Sequence, residues 1–162
     1  MKQIGIGLLA ASAMLATAQA RDSLGVFGGW GAFRDAATPR CYAIAEPVRT
    51  SPGKADWRAF ASVGTWPKSK VRGQLHIRLS RERRQQAKVY LSIGERRFAL
   101  AAGKADTWAQ DARMDAAIIA AMRSAATMSV ESISPTGRAF SDLYALKGAA
   151  TAMDAAALGC AL

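Results

Sequence analysis

In the segment VRGQLHIRL, apolar and polar positions alternate strictly. Val71, Leu75, Ile77 and Leu79 fall on one side, and Arg72, Gln74, His76 and Arg78 on the other. That period of two predicts a half-buried strand. The next pattern, KVYLSIGERRFAL, predicts a hairpin turning at Gly94-Glu95, with glycine at the first central position of a type II′ turn. Setting Ile93 opposite Arg96 places Leu91 against Phe98 and Val89 against Leu100, so every apolar side chain stays on one face. RCYAIAEP and ASVGTWP are short, rich in strand formers and stopped by proline. Their weaker alternation predicts strands covered on both faces, and the intervening PVRTSPGKAD reads as a polar loop.

Helical spacing enters later. Asp111 is placed to cap a helix whose Met114, Ala117, Ile118, Ala121, Met122 and Ala125 form one apolar stripe. TMSVESIS and RAFSDLYAL return to strand-like composition around a Pro135-Thr136-Gly137 turn. A short helix, about Ala149 to Leu158, then ends at Gly159, expected as its C-terminal cap. Strands, one helix, two further strands and a final helix predict a mainly β chain of α+β type, an antiparallel sandwich or open barrel with helices packed on it.

The N-terminus changes the setting. Met1-Lys2-Gln3, the apolar run Ile4 to Leu15 and Ala18-Gln19-Ala20 have the layout of a cleavable signal peptide over residues 1–20. The run is too short to span a bilayer. The expectation is therefore an exported chain, in the periplasm or outer cell envelope, with residues 21–162 as a single domain. Both cysteines, Cys41 and Cys160, lie in that exported part, where an oxidising compartment favours a disulfide between them. Two cysteines and the one histidine are too few for a usual zinc site.

Charge narrows the partner. The chain has 22 Lys and Arg against 12 Asp and Glu. Much of the excess lies in residues 68–97, where ten basic residues face only Glu82 and Glu95. Arg72, Arg78, Arg81, Arg83, Arg84, Lys88, Arg96 and Arg97 are the candidate contacts for an anionic partner. Export argues against nucleic acid, leaving an anionic envelope glycan, lipid head groups or another envelope protein.

Catalytic patterns are sparse in the chain. GVFGGWGAFRD has Arg34 where a dinucleotide-binding loop needs its third glycine, so its glycines are expected to mark a bulge or tight bend at Gly28-Gly29. His76 is the sole histidine, no G-x-S-x-G elbow exists, and asparagine is absent. Asp111 and Asp115 open a helix, as its dipole favours, while Asp22, Asp35, Asp56 and Asp106 read as scattered loop acids. No calcium loop or other metal motif is present. The competing functional class is a small periplasmic hydrolase with a Ser/Asp site near His76.

Taken together, GGWGAF, RCYAIAEP, VRGQLHIRLS, RMDAAIIAAMRSA and the closing FSDLYALKGAATAMDAA resemble the invasion-associated locus B family of exported alphaproteobacterial proteins. The resemblance runs over nearly all of residues 21–162. It implies a β-rich envelope domain with no cofactor, no catalytic residues to carry over, and a role in cell-envelope or host interaction.

Overall fold

The computed structural model describes residues 21–161, so the segment read as a signal peptide lies outside the described residues. The elements are β1 (Asp22–Phe27), β2 (Trp30–Asp35), β3 (Arg40–Ala45), β4 (Arg49–Thr50), β5 (Phe60–Trp66), a 3-10 turn (Pro67–Ser69), β6 (Val71–Arg78), β7 (Val89–Ile93), β8 (Arg96–Ala102), β9 (Asp106–Trp108), α1 (Ala112–Ser124), β10 (Thr127–Ile133), β11 (Ala139–Ala145) and α2 (Ala149–Gly159). All strands join one antiparallel sheet in the order β1-β2-β3-β5-β6-β9-β8-β7-β10-β11-β4. The fold is thus the mainly antiparallel β architecture with two helices that the sequence pattern predicts.

Alternation decides the two faces. On β6, Leu75 and Ile77 are buried while Arg72 is exposed and His76 and Arg78 are half-buried. The β7–β8 hairpin has the expected register, with Ile93 opposite Arg96, Leu91 opposite Phe98 and Val89 opposite Leu100, and Gly94 turns at φ 56°. Inward side chains from successive strands, including Ala43, Val63, Leu75, Leu91, Val130 and Tyr144, form one continuous core. The sheet curls far enough for its two ends to meet. The Trp30 indole on β2 donates to the Ala145 carbonyl on β11 at 2.9 Å, and Trp30 itself is fully buried.

The helices cover what the sheet leaves open. Asp111 caps α1 by accepting from the Met114 N–H at 2.8 Å, and Ile118, Ala121 and Met122 are buried. Strand β9 pairs with β6 only at His76, Ile77 and Arg78. Just beyond its end the Leu75 N–H is taken by the buried Asp115 carboxylate at 2.8 Å, which ties α1 to the sheet. Helix α2 lies across β1, β2 and β3, burying Ala149, Ala152, Met153 and Ala156. The Cys41–Cys160 disulfide pins its C-terminal end to β3, with Cα atoms 5.7 Å apart.

Of the two readings of Gly28-Gly29, the tight bend is the one formed: it is the two-residue turn of the β1–β2 hairpin, with Phe27 opposite Trp30, while a bulge lies earlier, between Ser23 and Gly25. Glycine is required at the turn by backbone contact: a Cβ on Gly28 would stand 2.4 Å from the Lys147 carbonyl oxygen, and one on Gly148 1.9 Å from that of Phe27. Gly159 is helical rather than a left-handed cap; α2 ends at Cys160, and the Leu24 side chain of β1 packs against Gly159. The loop after Pro47 contributes β4, which pairs with β11. Asp22, Asp35 and Asp106 lie in strands, leaving Asp56 as the loop acid of that set.

Candidate functional site

The eight candidate cations do not form one band. Arg83, in the crossing from β6 to β7, is consumed by backbone: its Nε donates to Gly103 O at 2.6 Å, Nη2 to Ala102 O at 2.9 Å and Nη1 to Ala87 O at 2.9 Å. Arg81 donates to Ser51 O at 3.0 Å and lies over the Phe140 ring. Arg96 covers the Phe98 ring and donates to Ala117 O of α1 at 3.1 Å. These three act as structural clamps, although each keeps its charge.

Arg97 and Lys88 share the outer face of the β7–β10–β11 half. There they line a shallow groove of about 390 Å³ together with Tyr90, Glu131 and Ser141. Arg97 stacks over Tyr90 at 4.0 Å and pairs with Glu131 at 2.5 Å. Arg72 sits elsewhere, at a larger groove of about 710 Å³ beside Lys70, Arg123 and both helices. Arg72, Arg84 and Lys88 are exposed and, among the described residues, make no ion pair.

Arg78 belongs to a third group, on the outer face of β5, β6 and β9. Its guanidinium is 3.8 Å from Asp106 and lies over the Trp57 ring. The His76 Nε2 is 2.9 Å from Asp106 Oδ1, and its ring stacks on Trp108 at 5.3 Å while meeting the edge of Phe60. Strand register builds this cluster, because Ser62, His76 and Trp108 are directly opposed across β5, β6 and β9. The Ser62 hydroxyl donates to the His76 backbone carbonyl at 3.4 Å rather than to the imidazole. The geometry therefore gives a His–Asp pair held between aromatic rings, without a nucleophile on the ring nitrogen among the described residues.

Two interior carboxylates went unread as core groups in the sequence. Asp142, on β11 between inward-facing Phe140 and Tyr144, is fully buried and accepts from the Ser80 N–H at 2.8 Å. Burial pushes its carboxyl above the ordinary range, partly offset by the Ser80 hydroxyl and N–H and by Arg81. Burial likewise raises the Tyr144 phenol, with Asp142 adding to the effect. Asp115 is raised too, first by burial, against its bond to Leu75. The signal for Asp142 was present, since the period of AFSDLYA puts Phe140, Asp142 and Tyr144 on one face. Among the described residues no cluster of His, Cys, Asp and Glu has the arrangement to hold a metal ion, and no helix is long and apolar enough to cross a membrane.

Comparison with family models, curated proteins and solved structures gives no match for this chain.

Proposed function

We propose that this is a non-enzymatic exported envelope protein of the invasion-associated locus B type that binds an anionic envelope partner through its cationic outer surface. The observation that carries the reading is the state of the exposed cations. Among the described residues, Arg72, Arg84 and Lys88 stand without acidic partners, and the clamped Arg81, Arg83 and Arg96 add charge that backbone carbonyls do not neutralise. The disulfide is compatible with export. A surface of this kind attracts polyanions over a Debye length of about 8 Å at physiological salt.

The test is binding of residues 21–162 to phosphatidylglycerol vesicles, phosphatidylcholine vesicles and an acidic polysaccharide across a salt series. The expected result is binding to an anionic surface that weakens with salt and falls further in R84E/K88E. Salt-insensitive binding, or none, overturns the reading.

The His76–Asp106 contact favours a second reading, a small hydrolase centred on His76. Ester, glycoside or peptide hydrolysis that disappears in His76→Ala, with the fold retained by circular dichroism, would replace the first reading with this one.

A further inference from the structure

A second kind of groove lies off the outer sheet face. It lies between α1 and α2 where they close over the β5–β6 end, and it encloses about 710 Å³. Ile119 supplies one wall, Met153 and Ala156 the other, and Val63 reaches it from β5. Among the described residues, the charged side chains that line it are all basic. Lys70 and Arg72 are exposed there, no acidic side chain lines the groove, and neither cation makes an ion pair among the described residues. Arg123, on the α1 side, is already matched by Asp154 of α2 at 2.6 Å, a pairing that also holds the two helices together and lowers the Asp154 carboxyl.

We infer that this groove binds one single-chain amphiphile with an anionic head, a long-chain fatty acid carboxylate, its tail along the apolar walls and its head at Lys70 and Arg72. Both halves of the site select this chemistry. A glycan or free phosphate would leave the apolar walls wet, and a neutral hydrophobe would leave the paired cations unused. The volume falls within the roughly 300–1,000 Å³ that encloses a ligand of drug size. The mouth is also held in place: the 3-10 turn sets Lys70 at φ 55°, with its N–H bonded to Pro67 O at 3.1 Å. The disulfide fixes the far end of the α2 wall, since Cys160 lines the same groove. The inference shares Arg72 with the polyanion surface but does not rest on it.

The probe is 11-(dansylamino)undecanoate, titrated into oxidised residues 21–162 at high salt, with oleate and dodecylammonium as competitors. The expected result is saturable binding at one site per chain, with a blue-shifted emission that oleate reverses and dodecylammonium does not. K70E/R72E is expected to weaken binding about tenfold or more, the size of a lost charge-assisted contact. Ala157→Trp, at an exposed lining position that can fill the groove without entering the core, is expected to abolish it. Failure of the wild-type chain to bind, or equal binding by wild type and both folded variants, overturns the inference. So does a concentration-dependent dimer that Ala157→Trp disperses without any dansyl signal, because the groove would then be an interface with a second copy.

Discussion

Reducing the Cys41–Cys160 bond is expected to remove about 5 kcal/mol of stability. The bond closes a loop with a sequence separation of 119 residues, and the chain-entropy relation gives about 4.9 kcal/mol at 25 °C for a loop of that size. The unfolding entropy of about 2.1 cal/mol/K per residue, applied to the described chain, converts this to a fall in Tm of roughly 15 °C. The loss is assigned to the unfolded state, because α2 keeps its own apolar contacts through Ala149, Ala152, Met153 and Ala156 when the bond is cut. The assay is urea and thermal unfolding, followed by circular dichroism, of the oxidised chain, the reduced chain and Cys41→Ala/Cys160→Ala. At 20 °C the reduced chain should retain its β spectrum while its urea midpoint drops and its m-value rises, as the released unfolded chain exposes more surface. Two thiols titratable in the native chain before any reductant, or a Tm shift of less than about 5 °C after complete reduction, would refute the reasoning.

Asp142 should make stability depend on pH in the direction opposite to a surface carboxylate. Its folded pKa is raised by burial, so above its ordinary value of 3.8 the folded state holds a proton that the unfolded state has released. The contribution is therefore complete below that value and is lost as pH rises through the folded pKa. Urea melts between pH 4 and pH 8 should show the stability of the wild-type chain falling relative to Asp142→Asn as pH rises; a gap that stays constant with pH would count against the assignment. At the junction of the β1–β2 turn and α2, Gly148→Ala should cost about 3 kcal/mol or more, combining left-handed strain at φ 89° with a Cβ 1.9 Å from Phe27 O. Gly29→Ala, where nothing lies within 4 Å, should stay within about 0.5 kcal/mol. Equal urea midpoints for the two variants would show that the close approach carries no weight.

Features with a short-range cause were determined by the sequence alone. Period-two alternation defined β6, and the Gly94-Glu95 turn together with facing apolar residues set the β7–β8 register, because strand pairing across a tight turn is local. Helical spacing after Asp111 defined α1, and two cysteines in a chain read as exported left one pairing, which is the one formed. Tertiary structure decided what each charge does. Arg83 resembles its neighbours in sequence, yet it is bound to carbonyls as far away as Ala102 and Gly103, whereas Arg84 remains exposed. His76 and Asp106 meet only because β9 inserts between β6 and β8. The groove beside Arg72 exists because α1 and α2, distant in the chain, close over one end of the sheet. Such partners are joined by the curl of the sheet and the docking of the helices, which follow from burying the whole apolar surface at once rather than from any window of neighbouring residues.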